Sequence, residues 1–131
     1  MKISTRGRYG TRALVELAVN GEKNPLSLTK IAKNTGISLR YLEQIMRKLK
    51  KNNIVKTIQG VKGGYILAKS PDSILLHEII QTLEGNDYPV ECVRDEYKCI
   101  NKENCSTHKV WVEMHECIDT IMKKYSLKDL M

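Results

Sequence analysis

Residues Ser27–Leu67 read SLTKIAKNTGISLRYLEQIMRKLKKNNIVKTIQGVKGGYIL, and the architecture of the chain follows from them. Ser27 is placed to cap a short helix that Gly36 ends, because glycine adopts a left-handed turn at little cost. Ser38 is placed to cap a second helix, whose apolar residues recur at helical spacing. Two short helices joined by a tight glycine turn predict a helix-turn-helix unit, whose second helix enters the DNA major groove.

A β-hairpin is predicted directly after the second helix. Ile54–Ile58 favours a strand, Gly60–Gly64 a turn and Tyr65–Ala68 a return strand. This order predicts a mainly α fold, a winged helix-turn-helix with a small β-hairpin wing. Two helices and a hairpin also occur in small domains that bind no nucleic acid, so the pattern needs support from charge.

Charge is divided unevenly along the chain. Residues 1–69 carry 15 Lys and Arg against 3 Asp and Glu, whereas residues 70–131 carry 7 against 12. Basic charge concentrated on the helix-turn-helix half is typical of a phosphate-binding surface. It favours double-stranded DNA as the partner over the alternative of a protein-interaction module.

Length and composition limit the remaining possibilities. With 131 residues and 41% hydrophobic content, the chain forms one domain or one domain with an appendage. No apolar run approaches the roughly 18 residues of a membrane span, and no signal-peptide core is present. We therefore expect a cytoplasmic protein with no membrane partner, whose four cysteines are reduced and available for metal or redox chemistry.

A first helix is predicted near Thr5–Asn20, with Gly21 ending it. Arg6, Arg8 and Arg12 crowd its start, where the helix dipole favours acids rather than bases. This placement predicts contacts with DNA phosphates, and a solvated basic face is the alternative.

A later helix, Ile74–Glu84, is predicted to end at Gly85. His77 and Glu78 begin an HExxH pattern, but Gln81 stands where the second histidine is required, which excludes a metalloprotease. No nucleophile–base pair emerges elsewhere, so the sequence does not predict an enzyme.

Three cysteines fall in a segment of little periodicity, 86–107, which precedes a long final helix, His108–Tyr125. The apolar stripe of that helix can cover the chain's own core or pack against its copy in a second subunit, since palindromic operators favour two-fold dimers. We therefore divide the chain into a DNA-binding domain, 1–85, and a cysteine loop with a dimerisation helix, 86–131.

These three cysteines and His108, the first residue of the final helix, lie within 17 residues. Such a donor set suits tetrahedral zinc or an iron–sulfur cluster, and the wide spacings favour the larger cluster, with unliganded thiols as the alternative. Cys117 lies about half a helical turn away from His108, so it is predicted to be a small buried hydrophobe. The four candidate ligands are Cys92, Cys99, Cys105 and His108.

Several motifs carry a resemblance that covers nearly the whole chain. They are MKISTRGRY at Met1–Tyr9, ISLRYLEQ at Ile37–Gln44, GGYIL at Gly63–Leu67, and the cysteine loop leading to His108 and Trp111. In this order they resemble the IscR-type family of winged-helix regulators, to which the nitric-oxide-responsive NsrR proteins also belong.

The resemblance implies a 2Fe–2S cluster held by the same three cysteines and His108. NsrR-type relatives can hold a 4Fe–4S cluster with an acidic residue of the N-terminal region. Arg8 stands at the corresponding position here and cannot ligate iron, which favours 2Fe–2S.

The resemblance also implies where DNA is contacted. The recognition helix begins at Ser38–Gln44, and Glu43 and Gln44 suit direct contact with cytosine and adenine. In the wing, Gln59 replaces the usual minor-groove arginine, and Lys62 can supply the missing charge. The predicted DNA-binding residues are Arg6, Arg8, Ser38, Arg40, Tyr41, Glu43, Gln44, Lys48, Gln59 and Lys62.

Taken together, the sequence predicts a homodimeric transcriptional regulator, a repressor, whose DNA affinity depends on a 2Fe–2S cluster. By resemblance, its targets are cluster-assembly genes. The alternatives are a cluster-free regulator of the same fold that senses thiols or a partner enzyme, and a zinc-stabilised interaction module.

Overall fold

The computed structural model describes residues 2–85 and 88–131. Met1 and Asn86, with which the first motif and the cysteine segment begin, lie outside the described residues. Within the described part of the chain, five α-helices surround a core next to one two-stranded sheet. The elements are α1 (Thr5–Asn20), α2 (Leu28–Thr35), α3 (Leu39–Lys51), β1 (Val55–Ile58), β2 (Gly64–Leu67), α4 (Leu76–Glu84) and α5 (His108–Lys124).

The helix-turn-helix is closed by the caps that the sequence predicts. Ser27 Oγ accepts from the Lys30 amide at 3.1 Å, and Ser38 Oγ accepts from the Tyr41 amide at 3.4 Å. Gly36 ends α2 in the left-handed region with φ +70°. Because each cap satisfies amides that the first helical turn leaves unpaired, α2 and α3 start where predicted, and the helix-turn-helix is confirmed.

The wing is an antiparallel hairpin, also as predicted. Val55 on β1 lies opposite Leu67 on β2. Leu26, just before α2, bridges to Tyr65 through amide–carbonyl bonds of 3.0 and 2.7 Å. Gly64 lies so close to the Leu26 backbone that a Cβ there would collide with it. The start of α2 is therefore tied to the wing.

The core is assembled from one face of every helix of the DNA-binding half. Two more residues complete the core: Ile74, in the extended segment before α4, and Leu127, in the 3₁₀ helix after α5. Both are fully buried. The other core residues are Ala13, Leu14, Leu17, Ala18, Ile31, Ile37, Leu42, Ile45, Met46, Leu49, Ile54, Val55, Ile79 and Leu83.

Helix α4 begins two residues later than predicted. Leu75 is extended and bridges to Ser126, and the Leu76 amide donates to the Tyr125 carbonyl at 2.8 Å. Pairing with the C-terminal segment thus holds this backbone out of the helix. The predicted end is confirmed, since Gly85 adopts φ +79°.

Helix α5 packs against α4 and returns the chain to the core. His77 Nε2 on α4 lies 3.1 Å from Asp119 Oδ1 on α5, so the histidine is paired within the fold. After α5, Ser126 and Asp129 form a reciprocal capping box around the 3₁₀ helix Leu127–Leu130. This box fixes the turn that buries Leu127.

The outer face of α5 is apolar and exposed. Val110, Met114 and Ile121 are each more than two-fifths exposed. Cys117 shares this face, and its predicted burial is wrong. The reason is that α4 packs on the opposite face, where Met122 is buried.

Candidate DNA-binding surface and cysteine loop

The recognition helix α3 is divided into a buried and an exposed face. Leu42, Ile45, Met46 and Leu49 anchor it in the core with no exposed surface. Its opposite face is polar and open to solvent. The exposed side chains at its start and along this face are Ser38, Arg40, Glu43, Gln44 and Arg47.

Arg47 is a functional candidate that the sequence prediction missed. Its guanidinium lies 3.5 Å from the Glu43 carboxylate, and the two side chains are 76% and 57% exposed. An ion pair so exposed is worth at most about 0.5 kcal/mol, so either partner is free to engage DNA. The spacing of four residues between them was the available signal.

Tyr41 lies at the junction of α1 and α3 rather than on the open face. Its ring meets Tyr9 edge-on, with centroids 6.0 Å apart. Arg12 lies 5.3 Å over the Tyr9 ring and donates to the Thr35 carbonyl at 3.2 Å. These contacts give Tyr41 and Arg12 a role in holding the helices together.

The basic N-terminus of α1 is compensated by an acidic side chain of α4. Both the amide and the hydroxyl of Ser4 donate to Glu84 Oε1 of α4, at 2.9 and 2.7 Å. The acid that the helix dipole favours is therefore supplied by α4. Among the described residues, Arg8 is exposed and donates to Thr5 of its own helix at 3.3 Å, whereas Arg6 is half-buried and its Nε is enclosed without a partner there.

Lys48 and the wing residues differ in their surroundings. Lys48 is half-buried, and its Nζ lies 3.4 Å from the Leu83 carbonyl at the end of α4. Gln59 and Lys62 are fully open on the wing turn. Lys62 also lines an open cleft with Lys30 of α2, a second cation that the sequence prediction did not single out.

The four candidate ligands lie on consecutive pieces of the loop. Cys92 is half-buried in a 3₁₀ turn, Glu91–Val93, that packs against α5. Cys99 is half-buried in irregular chain, and Cys105 is exposed. Among the described residues, no three His, Cys, Asp or Glu side chains lie close enough to hold a single metal ion.

Two observations bear on ligation at the end of this loop. The Thr107 hydroxyl, followed by the Thr107 and His108 amides, lowers the pKa of the Cys105 thiol. Imidazole Nδ1 of His108 is buried and has no hydrogen-bond partner within the described residues. A thiol of lowered pKa and a buried nitrogen without a partner among the described residues are donor types that suit a thiophilic metal, so Cys105 and His108 fit an iron–sulfur group by their chemistry.

Aromatic and ionic contacts fix the first part of the loop against α5. The Tyr88 ring stacks on His115 with centroids 4.6 Å apart. Arg94 lies 6.0 Å over Tyr88 and pairs with Glu91 at 3.1 Å. A change in the conformation of the loop would therefore act directly on α5.

An exposed polar recognition helix, caps that fix it and a wing tied to its neighbour define a winged-helix DNA-binding protein. No helix in the described ranges is long and apolar enough to span a bilayer. The profile of the Rrf2 family, described as "Iron-dependent Transcriptional regulator", matches residues 3–131. This chain belongs to the Rrf2 family of transcriptional regulators.

Individual relatives agree with this assignment. The chain is 37% identical over 130 residues to the transcriptional regulator CymR of Bacillus subtilis, covering 99% of this chain and 89% of CymR. It is 34% identical over 133 residues to IscR of Klebsiella pneumoniae, covering 100% of this chain and 80% of IscR. The solved structure of B. subtilis CymR, titled "the Global Cysteine Regulator", superposes with a TM-score of 0.81 at 36% identity, covering 99% of this chain and 95% of that chain.

Proposed function

We propose that this protein is a homodimeric, cytoplasmic repressor whose affinity for a palindromic DNA operator is set by a 2Fe–2S cluster. Residues 1–85 bind DNA, and residues 86–131 hold the cluster and the second subunit. The observation that carries the proposal is Nδ1 of His108, which is buried and has no partner in the described part of the chain, at the end of a three-cysteine loop. The resemblance to IscR-type regulators implies cluster-assembly genes as the proposed targets.

Each ligand has a physical basis. The pKa of the Cys105 thiol is lowered by the Thr107 hydroxyl, which makes the thiolate, the form that binds iron, easier to reach. A buried nitrogen without a partner costs about 1–3 kcal/mol, which ligation at His108 would remove. Cys92 and Cys99 are free thiols and supply the remaining donors. When bound, the cluster supplies an oxidisable inorganic core that nitric oxide, oxidants or iron starvation can remove.

Regulation then follows from linkage. The cluster binds one arrangement of the loop better than others, so its presence biases that arrangement and the DNA-binding surface coupled to it. The exposed apolar face of α5, with Val110, Met114 and Ile121, provides the surface for the second subunit. Two subunits related by a two-fold axis would place two α3 helices on a palindromic site.

Anaerobic purification tests the ligand assignment. Alanine at Cys92, Cys99 or Cys105 is expected to abolish the visible absorption together with the bound iron and sulfide. Cys117→Ala is the matched control and retains both, because Cys117 lies on the outer face of α5. A coloured, iron-loaded Cys99→Ala protein would contradict the assignment.

A cluster-free, thiol-responsive regulator is the second candidate. Cys105 is exposed and its pKa is lowered, which is the environment of redox-sensing cysteines. A solved structure titled "Staphylococcus aureus CymR oxidized form" is 30% identical with a TM-score of 0.76, covering 99% of this chain and 95% of that chain. This candidate predicts that peroxide releases the iron-free protein from its operator. If peroxide releases the protein only after iron has been loaded, the candidate is excluded.

A further inference from the structure

Two elements that carry predicted DNA contacts bind the same short segment, the terminal turn of α4 (Leu83–Gly85). From α1, the Ser4 amide and hydroxyl donate to Glu84 Oε1 at 2.9 and 2.7 Å. From α3, Lys48 Nζ donates to the Leu83 carbonyl at 3.4 Å. A displacement of this turn would therefore act on both helices at once.

The packing around the terminal turn is close enough to transmit small displacements. A Cβ at Gly7 of α1 would collide with the Glu84 carboxylate, and one at Gly10 would collide with the Leu83 side chain. Neither glycine has a positive φ, so both are explained by space rather than by backbone strain. Well-packed interfaces of this kind move as units instead of absorbing a shift.

The cysteine loop begins where the terminal turn ends. Gly85 leaves α4 in the left-handed conformation, and Tyr88, three residues on, is stacked against His115 of α5. Cys92 follows in the turn that packs on α5. Glu84 thus lies at the end of α4 from which the loop departs, where a rearrangement of the loop would act on α4.

We propose that Glu84 is the positioning residue through which the cysteine loop sets the geometry of the DNA-binding surface, an inference that rests on the proposed cluster control. Glu84 touches neither DNA nor cluster in this role. Its carboxylate holds the start of α1, near Arg6 and Arg8, to the turn of α4 from which the loop departs. Removing the carboxylate uncouples the loop from α1 while leaving both ends intact.

The test compares operator affinity in the two states of the protein. An operator duplex selected by wild-type protein from a random DNA pool serves as the probe, and its Kd is measured anaerobically for cluster-loaded and cluster-free protein. The readout is the ratio of the two Kd values for wild type, Glu84→Ala, Glu84→Gln and the control Glu16→Ala. Glu16 is a suitable control because its carboxylate also accepts side-chain bonds, from Asn20 and Asn34, at a site that does not involve α4.

We expect a wild-type ratio of about tenfold or more, within the usual range of coupling. Glu84→Ala should bring the ratio within about twofold of unity with cluster content unchanged, and Glu84→Gln, which keeps an oxygen acceptor, should fall between. Glu16→Ala should match wild type. A residue that only stabilised the fold would shift both Kd values together and leave their ratio unchanged.

The outcomes separate the two proposals. A wild-type ratio of one in iron-loaded protein refutes cluster control, and the role of Glu84 falls with it. A normal wild-type ratio that persists in Glu84→Ala refutes the role of Glu84 alone. If Glu84→Ala does not fold, the test rests on Glu84→Gln. A ratio of the two Kd values in Glu84→Gln equal to that of wild type would then overturn the inference.

Discussion

Removal of the Glu43 side chain tests whether α3 selects DNA sequence. Glu43 projects from the exposed face of α3, and its one ion pair is with Arg47 at 3.5 Å among the contacts of the described residues. Since both side chains are more than half exposed, the pair contributes at most about 0.5 kcal/mol to folding. Any larger effect of Glu43→Ala is therefore an effect on DNA binding.

The size of that effect follows from base recognition. A carboxylate that accepts from cytosine is worth about 1–3 kcal/mol of discrimination, or roughly 5- to 150-fold in relative affinity. Removing the acid also takes one negative charge from a surface that faces phosphates and frees Arg47. Non-specific affinity should therefore rise while discrimination falls.

Competition binding at fixed salt measures both quantities. Each base pair of the selected operator is varied in turn, and the affinity for unrelated DNA is recorded alongside. Glu22→Ala serves as the control, because Glu22 is an exposed acid beyond the end of α1. If Glu43→Ala leaves the ranking of operators unchanged, α3 does not select bases through this residue.

Two further predictions concern stability and the loop. Leu127→Ala empties a fully buried core site and should lower the free energy of unfolding by about 2–5 kcal/mol, which lowers Tm by roughly 10 °C in thermal unfolding. Leu130→Ala, in the same 3₁₀ helix but 37% exposed, should lower it by less than about 1 kcal/mol, and equal losses in the two variants would refute the packing argument. Thr107→Val in cluster-free protein removes the strongest cause of the lowered pKa of Cys105, so thiol labelling followed by mass spectrometry should inflect at higher pH. Ser106→Ala should leave that inflection in place, and a shift in both variants would contradict the assigned hydrogen bond.

Local chemistry explains what the sequence could predict. Ser27 and Ser38 cap their helices, and Gly36 and Gly85 end theirs with positive φ, since each signal acts within a few residues. The order of helix, turn, helix and hairpin follows from these signals. Placement of Glu43 and Gln44 on an open face follows from the periodicity of α3.

Contacts between distant segments explain what the sequence could not predict. Glu84 is 80 residues from Ser4, so no local pattern shows that it compensates the dipole of α1. The predicted burial of Cys117 is wrong because helical angles place residues relative to one another but do not identify the face that a neighbouring helix covers. Leu75 is helical by pattern, but its bridge to Ser126 depends on where the chain returns.

The buried position of Leu127 limits how this regulator can be divided. Core residues such as Leu14 and Ile74 share one cluster with a side chain from the last five residues of the chain. A fragment cut after residue 85 would expose that site to water, even though it carries the complete helix-turn-helix and wing. Chimeras that join this DNA-binding half to another sensor must therefore graft a substitute for Leu127, or retain Ser126–Leu130 as part of the transplanted unit.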